Sequence, residues 1–158
     1  MTECKVSRVS QVGIIVTNLK QAIANFEKYL GISQWECFDG ADLPPLEING
    51  KPGQLNIKGA ITVFPDRFEI ELIEPTGEGP YMDYLKKHGP GVHHFAVMTP
   101  DGNSLFQELL DAQKAEGKKL WIHAKQIHAK DRRGMDFAYL DLVEEMGSIV
   151  EIYNEIRD

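Results

Sequence analysis

The sequence predicts an α+β fold built from two tandem βαβββ modules, and three observations lead to it. Gln11-Val-Gly-Ile-Ile-Val16 opens a unit that closes on Phe68-Glu-Ile-Glu71-Leu-Ile-Glu-Pro75, and His94-Phe-Ala-Val-Met-Thr99 opens another that closes on Ile149-Val-Glu151-Ile-Tyr153. The opening and closing polar residues stand 60 positions apart in the first unit, Gln11 to Glu71, and 57 in the second, His94 to Glu151. Between them each unit carries one segment of helical period and further strand-like runs, the signature of a duplicated supersecondary unit. At 158 residues and 42% hydrophobic composition the chain suffices for one domain or two small modules sharing a core.

The elements follow in order. Val9 to Val16 is β-branched and reads as a strand. Asn18 is placed to cap a helix, with Gln21 three residues on as the second half of a capping box. Ile23, Phe26 and Leu30 give that helix its apolar stripe, and Gly31 ends it. Gln34–Phe38, Leu55–Val63 and Phe68–Ile73 are the three strands that complete the module. The segment from Gly40 to Gly53, rich in Pro and Gly, reads as a long loop of the lid or binding-loop kind. Glu74-Pro-Thr-Gly-Glu-Gly-Pro80 punctuates the chain, so the first module spans 1–75, a linker 76–90, with a short helix over Tyr81–His88, and the second module 91–158. His93–Met98 opens the second module. A helix from about Asn103 to Glu116, with Leu105, Phe106, Leu109 and Leu110 on one face, stops at Gly117. Strands around Trp121–Ile127, Asp136–Leu140 and Ser148–Tyr153 complete it. Trp35, Trp121 and Phe137 read as core residues.

Composition narrows the function. A net charge of −7 disfavours broad binding to nucleic acid or to an anionic membrane. No apolar run approaches the roughly 20 residues that span a bilayer, and Met1-Thr-Glu-Cys-Lys-Val6 lacks the apolar stretch of a signal peptide. Two cysteines, Cys4 and Cys37, make neither a disulfide framework nor a thiolate-rich zinc site, so a reducing cytoplasm is the expected compartment.

Strand alternation sorts the side chains into faces. Gln11, Gly13 and Ile15 share one face of the first strand; Glu69, Glu71 and Ile73 share one face of the strand that closes the module. His94, Ala96 and Met98 share a face in the second module, as do Ile149, Glu151 and Tyr153. The opposite faces are apolar and suit the helices. Gln11, Glu71, His94 and Glu151 therefore look toward a concavity or toward water. In a concavity, unneutralised carboxylates would cost several kcal/mol each. A divalent cation would balance two glutamates, with His94 and Gln11 binding as neutral ligands. Oxygen and imidazole ligands without thiolate suit zinc, nickel, cobalt, manganese or iron(II) in a catalytic rather than a structural site. Taken singly, each glutamate reads as an exposed salt-bridging residue, His94 could be a hydrogen-bonded core histidine, and Gln11 a surface residue left after loss of an ancestral histidine. His93, on the other side of the pleat, has a structural or supporting role. Lys130, Arg132 and Arg133, near the rim of the second module, could receive an anionic substrate such as an acyl-CoA or a glutathione adduct.

Gln11-Val-Gly-Ile-Ile-Val16, Phe26-Glu-Lys-Tyr-Leu-Gly31, Gly89-Pro-Gly-Val-His-His94-Phe-Ala-Val97 and Gly147-Ser-Ile-Val-Glu151-Ile152 together resemble the vicinal oxygen chelate superfamily. That group includes glyoxalase I, methylmalonyl-CoA epimerase, extradiol dioxygenases and bleomycin-resistance proteins. The resemblance implies curved mixed sheets around a central metal cleft, one divalent ion (Zn, Co, Ni or Mn) held by Gln11, Glu71, His94 and Glu151, and proton transfer α to a carbonyl with Glu151 as base. It also implies a homodimer. Gly89-Pro-Gly-Val-His-His94 looks most like the epimerase segment. Epimerases, however, usually carry His where Gln11 stands and Gln where Glu71 stands, and this ligand set is similar to that of zinc glyoxalase I. The stretch Asn49-Gly-Lys-Pro-Gly-Gln54 also lacks the second basic glutamate of epimerases, which speaks against a two-base epimerisation. An epimerase, a lactoylglutathione-lyase-type enzyme and a metal-free binding protein of the bleomycin-resistance class all remain open. A dioxygenase is disfavoured, because only His94 matches its two histidines.

Overall fold

The computed structural model describes residues 3–117, 120–127 and 135–155. In chain order the elements are β1 (Arg8–Ile15), α1 (Leu19–Leu30), β2 (Glu36–Asp39), a 3-10 turn (Gly40–Asp42), β3 (Leu46–Ile48), β4 (Lys51–Gly53), β5 (Ile57–Val63) and β6 (Glu69–Pro75). There follow α2 (Pro80–His88), β7 (Gly91–Thr99), α3 (Gly102–Ala115), β8 (Trp121–Ile127), β9 (Met135–Leu142), α4 (Val143–Met146) and β10 (Ser148–Asn154). The fold is mixed α+β, with β1-α1-β2-β5-β6 and β7-α3-β8-β9-β10 as its two βαβββ repeats. The residues group into two compact units, one made of Gln11–Leu43 and Leu55–His93, the other of Met1–Ser10, Pro44–Gln54 and His94–Asp158.

In the unit of residues 11–43 and 55–93 the strands run in the order β2-β5-β6-β1, antiparallel except for the parallel pair β1 and β6. Helix α1 starts where the sequence places its cap: Asn18 Oδ1 accepts the Gln21 backbone N–H at 2.8 Å. The Gln21 side-chain amide donates onward to Asn25 Oδ1, 3.1 Å away. The Leu19 N–H donates to Glu74 Oε2 at 2.6 Å, so a β6 carboxylate meets the positive end of the helix. The helix ends on Gly31 at φ 70°, a left-handed conformation that favours glycine. Strand β6 runs on through Glu74 and Pro75, two residues beyond the strand read from sequence.

In the unit of residues 1–10, 44–54 and 94–158 the order is β7-β10-β9-β8-β3-β4, with β7 parallel to β10 and the other pairs antiparallel. Asp101 caps α3 by accepting the Ser104 N–H at 3.0 Å, so the helix begins at Gly102, one residue before the predicted start. Its Phe106 and Leu110 pack with Val97, Ala138, Leu140, Leu142, Val150 and Ile152, which form the buried face of the sheet. Trp121 packs against the same cluster. Each such side chain contributes about 1.5–3 kcal/mol when fully buried.

The segment expected to be a long loop is ordered differently. After the 3-10 turn, residues 46–53 form the hairpin β3–β4 around Asn49-Gly50, both at positive φ, 52° and 76°. Asn-Gly is the pair that a two-residue hairpin loop with both φ positive requires. The hairpin adds to β8: Glu47 faces His123 in register, and Asn49 clasps Trp121 through an N–H to the Trp121 carbonyl at 3.0 Å and through Oδ1 to the Trp121 N–H at 2.9 Å. It thereby covers the edge of β8. The short helix α4, closed by Gly147 at φ 80°, was not expected from the sequence.

Candidate metal centre

Four residues from the sequence pattern are buried: Gln11 and His94 at 0% exposure, Glu151 at 1% and Glu71 at 7%. In one unit, parallel pairing of β1 with β6 sets Gln11 beside Glu69 and Gly13 beside Glu71. Gln11 Nε2 donates to Glu69 Oε2 at 2.9 Å. In the other unit, parallel pairing of β7 with β10 sets His94 beside Ile149 and Ala96 beside Glu151. The two registers are equivalent. In each, the glutamate pairs with the residue two positions after the polar group of the opening strand, a small one, Gly13 or Ala96. Period-2 alternation then puts glutamate and polar group on one face of neighbouring strands.

The second half is held on two sides. His94 Nε2 lies 3.3 Å from Glu151 Oε2. Tyr139, paired with Glu151 across β9, presents its ring edge-to-face with the His94 imidazole, centroids 4.9 Å apart at 88°. Glu151 Oε2 has no hydrogen-bond donor among the described residues, even though His94 is so near. A buried carboxylate oxygen left in that state is costly, since burial strips its water. The spacing has an explanation in ligand geometry. Two ligand atoms each about 2.1 Å from a shared ion stand about 3.0 Å apart in an octahedral arrangement and about 3.4 Å in a tetrahedral one. At 3.3 Å the two atoms form an ion pair if His94 is protonated, and the same spacing suits two ligands of one cation. His94 and Glu151 in one unit, and Glu71 in the other, are buried acid and imidazole side chains of the kinds that ligate metal ions. The donor set fits a divalent cation.

Sequence comparison matches residues 10–139 to the Glyoxalase/Bleomycin resistance protein/Dioxygenase superfamily. The chain belongs to that superfamily. No curated protein matches it in sequence. Among solved structures it is similar to a Streptomyces coelicolor methylmalonyl-CoA epimerase variant in complex with 2-nitronate-propionyl-CoA, at 18% identity and TM-score 0.64, covering 95% of each chain. It is also similar to methylmalonyl-CoA epimerase from Mycobacterium tuberculosis, at 19% identity and TM-score 0.63, covering 99% of this chain and 93% of that one. A hypothetical protein from Bacillus halodurans aligns at 21% identity and TM-score 0.57, covering 96% of each chain. These likenesses show the superfamily fold.

The remaining site residues read from the sequence fall elsewhere. Lys130, Arg132 and Arg133 lie outside the described residues. His93 is buried in a different environment from His94, against the rings of Tyr81 and Tyr84, with centroids 5.0 and 4.6 Å away. Sequence reasoning did not single out Glu69 or Tyr139. Glu69 carried a usable signal, two residues before Glu71 and so on the same face. Tyr139 carried none, because its place opposite Glu151 depends on the register of β9.

Proposed function

We propose that this protein is a metal-dependent isomerase that removes a proton α to a carbonyl, of the methylmalonyl-CoA epimerase type. The observation that carries the reading is the doubled register, which buries Gln11 with Glu71 in one repeat and His94 with Glu151 in the other, each pair on one face. In this reading the two pairs serve a single divalent ion. Two carboxylates balance its charge, which offsets the cost of burying them. The likeness to methylmalonyl-CoA epimerases and the superfamily membership support the same reaction class. The substrate is then a small anionic acyl-CoA, with Lys130, Arg132 and Arg133 receiving its phosphates. The protein is proposed to work as a cytoplasmic homodimer; the described helices include none long and apolar enough to cross a membrane, and Cys4 and Cys37 are free thiols.

Gln11, Glu71, His94 and Glu151 would hold the ion. Bound there, the ion would supply Lewis-acid stabilisation of the charge that develops on a carbonyl oxygen. Glu151 takes the α-proton onto a carboxylate oxygen, where it exchanges with solvent, and returns a proton to the same carbon; inversion requires the enolate to turn so that the proton arrives on its other face. Tyr139 keeps the His94 ring from turning by packing on it.

A second reading, a lyase acting on a glutathione hemithioacetal, is favoured by the identities of Gln11 and Glu71, which are similar to the glyoxalase I ligand set. A metal-free binding protein is the third. Metal analysis of the purified protein, followed by turnover of methylmalonyl-CoA against the methylglyoxal–glutathione hemithioacetal, separates them. About one ion per chain with epimerisation of the thioester is expected. Turnover of the hemithioacetal alone would move the protein to the lyase reading, and no ion with no turnover would leave the binding protein.

A further inference from the structure

Glu69 is the half-buried carboxylate beside the Gln11 end of the centre. It stands two residues before Glu71 on the same face of β6 and is the in-register partner of Gln11 on β1. Its Oε2 accepts the Gln11 Nε2–H at 2.9 Å. The side-chain amide of glutamine has two chemically different ends, and only its oxygen can ligate a cation. A charged acceptor on the nitrogen is a stronger partner than a neutral one. With that nitrogen donating to Glu69, a cation beside Gln11 would have to be met by the oxygen. A histidine at this position would need no such help from Glu69, because its ligating nitrogen is set by the ring itself.

Resting on the metal reading above, we propose that Glu69 is a positioning residue: it holds the Gln11 amide with its oxygen presented to the ion, and so makes a glutamine serve as a ligand on β1. Partners that orient a ligand are worth about 10–100-fold in metal affinity. Glu69 also adds a negative charge near the centre, and that effect must be told apart from orientation.

The test compares cobalt(II) affinity and the cobalt absorption spectrum of the unmodified protein, Glu69→Gln and Glu69→Leu, with circular dichroism as the check on folding. Both substitutions remove the charge, but only Glu69→Gln keeps an oxygen acceptor for the Gln11 N–H. Positioning predicts that Glu69→Leu weakens cobalt about 10–100-fold and alters the spectrum, whereas Glu69→Gln stays within a few-fold of the parent. Repeating Glu69→Leu in a Gln11→His background should cost only a few-fold, because an imidazole has no amide to orient. Equal loss in Glu69→Gln and Glu69→Leu would make the effect one of charge and overturn the proposal, as would full affinity in Glu69→Leu. Both results leave the metal reading standing. If the unmodified protein binds no cobalt, the metal reading fails and the role of Glu69 falls with it. Should Glu69→Leu fold poorly, Glu69→Ala takes its place. The side-chain NH2 signals of Gln11 in the apo protein then give an independent readout: they should shift in Glu69→Ala and hold in Glu69→Gln, and unmoved signals in Glu69→Ala would overturn the hydrogen bond on which positioning rests.

Discussion

In the proposed reaction Glu151 is the base, and its burial works against folding. A carboxylate at 1% exposure, with an oxygen that accepts no hydrogen bond among the described residues and has only His94 Nε2 nearby at 3.3 Å, is a cost to the fold that a bound cation would offset. Glu151→Gln removes that cost and keeps the shape, so the variant should unfold at the same temperature as the parent or higher in the absence of metal. Its exchange of a substrate α-proton should fall by orders of magnitude, because an amide does not accept a proton at neutral pH. Isotope exchange and thermal unfolding on one metal-quantified sample check both halves. A metal-loaded variant that exchanges at the parent rate would remove Glu151 as the base. His94→Ala should lose tight divalent-metal binding, read by equilibrium dialysis; unchanged stoichiometry would remove His94 from the ligand set. The faces on which Gln11, Glu71, His94 and Glu151 lie were legible in the sequence, because strand alternation has a fixed period and the repeat supplied two copies of the same pattern. The Glu69 bond to Gln11 and the Tyr139 contact with His94 were not. They follow from inter-strand register, which no single strand's residues encode.

At the scale of elements, the helices were read from the sequence with most success. Asn18 and Gly31 bound α1 through local backbone chemistry that belongs to those residues wherever the chain goes. Residues 40–53 were misread because Pro and Gly mask a short hairpin whose strands are three residues each and depend on pairing with β8. This segment yields two stability predictions. Gly50 sits at φ 76°, a left-handed backbone that strains any side chain, while the atom nearest to an added Cβ, Trp121 Cζ2 at 3.4 Å, is at ordinary contact distance. Gly50→Ala should cost about 1–2 kcal/mol through the left-handed backbone alone. At Gly40, just ahead of the hairpin, an added Cβ would lie 2.0 Å from the Leu55 carbonyl oxygen. Gly40→Ala must therefore displace backbone and should cost about 1–3 kcal/mol. Denaturant titration measures both, and parent-like midpoints would contradict the left-handed strain at Gly50 and the close approach at Gly40.

At the scale of the molecule, the βαβββ duplication was legible because both copies keep the order strand, helix, three strands and nearly the same spacing between their polar residues. The grouping of the chain was not. Residues 1–10 and 44–54 belong with the C-terminal repeat, and each joins it through backbone pairing across long sequence separations, as between the Ser7 N–H and the Met98 carbonyl at 2.9 Å. The order β2-β5-β6-β1 leaves β2 with one paired neighbour and its Glu36 and Cys37 exposed, an edge open to association. The proposed homodimer predicts twice the chain mass in light scattering at micromolar concentration, and a monomer would refute it. The central claim is that a metal-supported carboxylate moves a proton α to a carbonyl. It is tested most directly by incubating metal-loaded protein with methylmalonyl-CoA in deuterium oxide and following the α-carbon by NMR. The account predicts deuterium incorporation that stops on chelation and resumes when the ion is restored. An undiminished α-proton signal from fully metal-loaded protein would contradict it.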